Sequence, residues 1–205
     1  MKVLFTHIPR TGGMSARAAL EGHWVGSDEL GANYDKNRSA ISIALAGNDL
    51  VTTHAPFHQY PDVGNATILR DPVIRVWSHY HMFLRNPTLA HHMYAKAGFE
   101  AFMERSFWAR DVMTKQLAGI GVTETAIDDD LDKAKKTLDM MDLVGYTNYL
   151  VDFIVKLGGL LGRKVHHIPH LNNLGVKRMR PDDGQTALII EKNQYDMAIW
   201  NEVIP

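Results

Sequence analysis

The sequence predicts an α/β protein in which a mainly parallel sheet is sandwiched between helices in three layers. Three observations carry this. Short apolar runs alternate with longer helical segments, the pattern that pairs parallel strands through crossover helices. The first run, Val3-Leu4-Phe5, leads directly into a glycine turn and a helix start at Gly12-Gly13-Met14-Ser15. A later run, Thr67-Ile68-Leu69, is followed by Asp71 and Pro72, a helix N-cap and a first helical residue.

In chain order, strands are predicted over 2–6, 49–53, 66–69, 143–144 and 164–168, each a short apolar or β-branched run. Helices are predicted to begin near Gly13, Pro72, Phe99, Ala109, Asp130, Tyr149 and Glu191. In the helix from Pro72, Trp77, Tyr80 and Phe83 follow helical spacing and read as core. Two stretches, 23–39 and 86–98, read as loops, the first for its Gly, Asn, Asp and Ser content. The stretch 172–184 carries Lys177, Arg178 and Arg180 and reads as a solvated basic loop. At 205 residues the chain has the length of a single domain, 1–205, and contains no internal repeat.

The segment Thr6-His7-Ile8-Pro9-Arg10-Thr11-Gly12-Gly13-Met14-Ser15 carries the chemistry. Gly12 and Gly13 let the backbone approach an anion, and the first amides of the following helix would point at it. The result is P-loop-like but not the nucleotide-triphosphatase pattern, which places lysine after the last glycine. Here the cation, Arg10, precedes the glycines. In the second segment, Arg70 ends a strand and Ser78 lies about two helical turns beyond the Asp71 cap. An arginine fork with a hydroxyl so placed can hold a second phosphate.

Together the two segments resemble the sulfotransferases that use 3′-phosphoadenosine 5′-phosphosulfate (PAPS), especially the carbohydrate type related to heparan and chondroitin sulfotransferases. In that family a segment of the form HIPKTGGTS binds the 5′-phosphosulfate and one of the form LRDPxxRxxSxY binds the 3′-phosphate. The resemblance assigns Arg10, Thr11, Gly12, Gly13, Met14 and Ser15 to the first role, and Arg70 and Ser78 to the second. Fainter likenesses extend to 113–119, to 134–145 with Tyr146-Thr147-Asn148, to His170-Leu171-Asn172-Asn173, and to 193–200. One departure is Arg10, where the family usually has lysine, although tyrosylprotein sulfotransferases have arginine. Arginine keeps the charge and adds a bidentate fork, but cannot give up a proton.

The resemblance implies PAPS as cofactor and a hydroxyl acceptor, carbohydrate in the type most resembled. His54, at the end of the run Val51-Thr52-Thr53, is the candidate general base, in a segment that looks like the histidine-bearing region of heparan 2-O- and 6-O-sulfotransferases. Arg10 would stabilise the leaving phosphate. His58 is a second candidate base, and His7 reads as a structural hydrogen-bonding residue. Trp108, Tyr146 and Tyr149 are open as adenine- or sugar-stacking residues. The alternatives are a P-loop kinase with an unusual turn and a nucleotide-binding module without catalysis.

Composition narrows the classes further. Hydrophobic residues make up 45% and charged residues 22%, as in ordinary globular proteins. A net charge of −1 gives no bulk basicity for nucleic-acid binding. Cysteine is absent, which excludes disulfides and thiolate metal sites. The histidines at 166, 167 and 170 are interrupted by Pro169 and have no acidic partner near in sequence, so no metal site is expected. The most apolar stretch, 143–162, contains Asp152 and Lys156 and fails as a membrane span. With no leader ahead of the first strand, the expectation is a soluble cytoplasmic protein.

Overall fold

The computed structural model describes residues 1–25, 34–169 and 180–203, with backbone alone for 34–37. It contains a five-stranded sheet of β1 (Lys2–Thr6), β2 (His23–Val25), β3 (Leu50–Thr53), β4 (Val63–Leu69) and β5 (Leu143–Tyr146). The spatial order is β2-β3-β1-β4-β5 and every pairing is parallel. The α/β three-layer prediction therefore holds.

Strand alternation sorts the core onto two faces. On one face Val3, Phe5, Leu50, Ala66 and Ile68 pack under α1 (Gly13–Ala19) and α8 (Leu150–Leu160). Gly145 admits that close approach, since a Cβ there would stand 2.2 Å from the Phe153 ring. On the other face Leu4 and Val51 meet α2 (Tyr34–Gly47) through Ile41, Ala44 and Leu45. Also on that face Leu69, Val144 and Tyr146 meet α6 (Val112–Ala118), α7 (Asp128–Asp139) and α10 (Gln194–Val203). A third body of core joins α3 (Pro72–Arg85), α4 (His92–Lys96), α5 (Phe99–Arg105) and α9 (Asp183–Lys192) through Val76, Phe83, Phe99, Phe102 and Ile189. Trp77 and Tyr80 pack against it half-buried, with Phe83 inside.

Sequence expectations are corrected at several places. Residues 164–168 form no strand: Val165 and Ile168 both pack on the α1–α8 core, and their spacing of three would put them on opposite faces of a strand. The stretch 23–39 is not one loop, because β2 pairs with β3 from His23↔Val51 to Val25↔Thr53 and α2 starts at Tyr34, with 26–33 outside the described residues. The break at 86–98 contains the short α4. The closing helix runs as α10 from Gln194, and a helix not expected from sequence, α9, precedes it; between them Asn193 Nδ2 donates to Ala109 O and Ile189 O. The helix expected near Ala109 is a 3₁₀ turn there, with α6 following after Asp111 at φ 45°.

Asp111 and Asp196 cap each other's helices. Asp111 Oδ1 accepts from the amides of Tyr195 and Asp196 at the start of α10, and Asp196 accepts from the amides of Met113 and Thr114 at the start of α6. Beneath them lies Arg75, wholly buried, with its guanidinium 3.6 Å from Asp196. Burial and the neighbouring Asp196 carboxylate push Asp111 up to about 7.

Candidate functional site

The three central strands β3, β1 and β4 run in register, Thr53 beside Thr6 beside Thr67, so their carboxyl ends open at one level. Open α/β sheets place ligands at that end. There the chain delivers His54 after β3, the 7–13 turn after β1, and Arg70 after β4.

The turn is built by backbone and packing. Arg10 adopts φ 73° and Gly12 φ 103°, the left-handed region that only the second residue occupies without strain. Arg70 Nη1 donates to Arg10 O at 2.6 Å, tying the end of β4 to the turn. Thr147 Oγ1 lies 2.7 Å from Thr11 O and 3.2 Å from Leu69 O, so its hydroxyl hydrogen is shared between the turn and β4. Gly13 lies flat on the ring of His7, leaving no room for a Cβ, which would stand 2.1 Å from His7 Cδ2.

The side chains of the two motifs meet. Arg10 Nε donates to Ser78 Oγ at 3.1 Å. Burial, and secondarily the charge of Arg85, disfavour the Arg10 cation. Among the described residues no carboxylate lies in ion-pair range of Arg10. A half-buried guanidinium without a counter-charge at a strand end gains from an anion. Thr11 Oγ1 donates instead to Ile8 O at 2.8 Å, so its proton is engaged within the turn. Met14 is exposed, and Ser15 is buried with its amide donating to Gly12 O.

The histidine side follows from strand parity. His54 continues the face of Leu50 and Thr52, His7 that of Val3 and Phe5, and Trp24 pairs with Thr52, so all three project to the α1 side. His54 Nε2 lies 3.2 Å from His7 Nδ1. The Trp24 ring stands edge-on to His54 at 4.6 Å between centroids, and Arg17 of α1 covers Trp24 at 5.3 Å. Gln116 Nε2 donates to His54 O at 2.7 Å, holding the backbone. Burial, with Arg17 adding to it, pushes His54 down to about 4; burial, then His54, Arg17 and Arg10, hold His7 well below the ordinary range. Both rings are therefore neutral at pH 7.

Other candidates fall elsewhere. His58 is hydrogen-bonded to Arg38 on an exposed surface and packs edge-on to Tyr60. Tyr146 donates its hydroxyl to Val203 O, and Trp108 packs beside His79 and Phe107. Tyr149 is exposed on a 200 Å³ cavity along β5. His170 and 171–179 lie outside the described residues, and Arg180 is exposed. Among the described residues no three His, Asp or Glu side chains gather as metal ligands, and no helix is long and apolar enough to cross a membrane.

Sequence reading missed Arg17, Trp24, Gln116 and Thr147. Gln116 and Thr147 lay in stretches of fainter likeness that assigned them no role; Trp24, two residues after a glycine and followed by valine, fits a short strand, but three residues carry too little periodicity to tell.

No family model matches this chain, and no curated protein matches it. Among solved structures it is similar to the crystal structure of a sulfotransferase from Alicyclobacillus acidocaldarius, at 15% identity over 98% of this chain and 96% of that one, with a TM-score of 0.48. A likeness this loose does not bear on the chemistry.

Proposed function

We propose that the chain, as a single domain over 1–205, is a PAPS-dependent sulfotransferase that moves a sulfuryl group to a hydroxyl of a carbohydrate or glycoconjugate. The observation that carries this is the convergence of the two motifs at one sheet end, where Arg10 Nε reaches Ser78 Oγ and Arg70 Nη1 reaches Arg10 O. The donor set suits an adenosine bisphosphate: two arginines and a serine hydroxyl beside the turn. PAPS supplies a sulfuryl group on a good leaving phosphate.

Arg10 with the amides of 12–14 would hold the 5′ end, and Arg70 with Ser78 the 3′ phosphate. Arg10 offsets charge on the leaving oxygen without donating a proton, as its guanidinium must. His54, neutral and beside the turn, would take the acceptor's proton as the acceptor oxygen displaces the 5′-phosphate oxygen from sulfur, then release that proton to water. Thr11 contributes its amide, since its hydroxyl is engaged by Ile8 O. Specificity for the acceptor would be set by the segments around the cleft, Trp24 and Arg17 included.

A thermal-shift comparison tests the reading. Stabilisation by 3′,5′-adenosine bisphosphate without metal supports it. Stabilisation by ATP with magnesium alone indicates a kinase. Binding of the bisphosphate with no transfer from PAPS to any of a panel of sugar and phenol hydroxyls indicates a binding module.

A further inference from the structure

His7 is buried and takes no part in holding the donor. Its ring stacks on Phe5 at 5.7 Å, lies against the backbone of Gly13, and stands 4.7 Å from the His54 ring. The contact with His54 uses defined atoms, His7 Nδ1 and His54 Nε2. Each neutral imidazole has one N–H and one lone pair, so one ring donates and the other accepts. The direction decides what His54 can do. If His7 donated, His54 would carry its proton on Nδ1, the nitrogen left for an acceptor hydroxyl, and could take no other there.

We propose that His7 is the positioning residue of His54: it accepts the Nε2–H of His54 and so leaves the Nδ1 lone pair for the acceptor. This rests on the reading of His54 as the base. The charges acting on the pair come from Arg17 on α1 and Arg10 on the turn. Neither can accept a hydrogen bond from Nε2–H as a carboxylate would. His7, kept neutral by burial and by these cations, is the acceptor within reach. The same direction puts the His7 proton on Nε2, which is buried against Gly13 with no partner among the described residues. When His54 takes the acceptor's proton on Nδ1, its Nε2–H stays on His7, and the ring does not turn.

The test is ¹⁵N NMR of the ring nitrogens in the intact protein, with His7→Phe and His7→Asn beside it. In the wild type His54 should be protonated on Nε2 and bare on Nδ1. His7→Phe should mix the tautomers, displace the acid limb of the kcat profile, and lower kcat by at least about tenfold. Acceptor KM and bisphosphate Kd should stay put, and His7→Asn, whose carbonyl replaces Nδ1, should restore most of kcat. A wild-type His54 protonated on Nδ1 overturns the proposal, even if His7→Phe does not fold. So does a His7→Phe enzyme with unchanged kcat and pH profile while His54→Gln is inactive. Normal turnover by His54→Gln instead overturns the base reading itself.

Discussion

Gly13→Ala is the substitution whose effect the structure constrains most tightly. By helix propensity alone it should stabilise, because Gly13 is helical with ordinary φ and Ala is favoured there by up to about 1 kcal/mol. Against this, the new Cβ would meet the His7 ring at 2.1 Å, with Cγ and Nε2 both at 2.5 Å. The ring cannot swing aside cheaply, since it is 3% exposed and enclosed by Phe5, Trp24 and His54. An overlap this deep lies at the upper end of the ~1–3 kcal/mol that overpacking costs, about 2–3 kcal/mol, so packing wins over propensity by roughly 1–2 kcal/mol. For a chain of this size that lowers Tm by about 2–8 °C, measured by calorimetry. The shift should also reach His54, so the ring-nitrogen signals of both histidines should move. A Gly13→Ala protein with wild-type or raised Tm would refute the packing argument. Gly12→Ala is the control, where strain comes from φ 103° and the nearest atom, Leu150 Cδ2 at 3.0 Å, can yield.

Asp111 is raised to about 7, so the folded state binds its proton more tightly than the unfolded one, and stability falls as pH rises from about 4 through about 7. Asp111→Asn, which keeps an oxygen for the α10 amides, should be stabilising at pH 8 and near neutral at pH 4 in urea unfolding. His54 is shifted the other way: the unfolded chain protonates first, so its contribution is intact above about 6.5 and lost as pH falls toward about 4. His54→Gln should flatten the stability profile across that window. Arg75→Met leaves the buried Asp196 carboxylate without its cation and should destabilise by ~3–5 kcal/mol in the same assay. Ser78→Ala should weaken 3′,5′-adenosine bisphosphate far more than 5′-AMP, and equal losses for both would remove Ser78 from the 3′ site.

Most of the sheet was legible because four of its strands are apolar runs closed by a glycine turn, a proline or a helix start. β2 was not: three residues, of which only Val25 is buried, announce nothing until β3 lies beside them. The stretch 164–168 misled for the opposite reason, being apolar enough for a strand while Val165 and Ile168 have the wrong spacing for one face. At the site, Arg10, Arg70 and Ser78 stood out by position relative to turn and cap. That Thr11 turns its hydroxyl inward to Ile8 O could not be read from residue type, since a threonine beside a glycine turn serves either purpose. His7 and His54 are 47 residues apart, and only the adjacency of β1 and β3 makes them one unit.

The central claim is that two arginine-bearing segments form one site for the two phosphate-bearing ends of an adenosine donor. Titration calorimetry of 3′,5′-adenosine bisphosphate in EDTA, on the wild type and on Arg10→Ala and Arg70→Ala, addresses it directly. Metal-free binding that is weakened by each substitution, with Arg70→Ala erasing the preference over 5′-AMP, is the predicted result. Bisphosphate binding that is absent, or untouched by both substitutions, would contradict it.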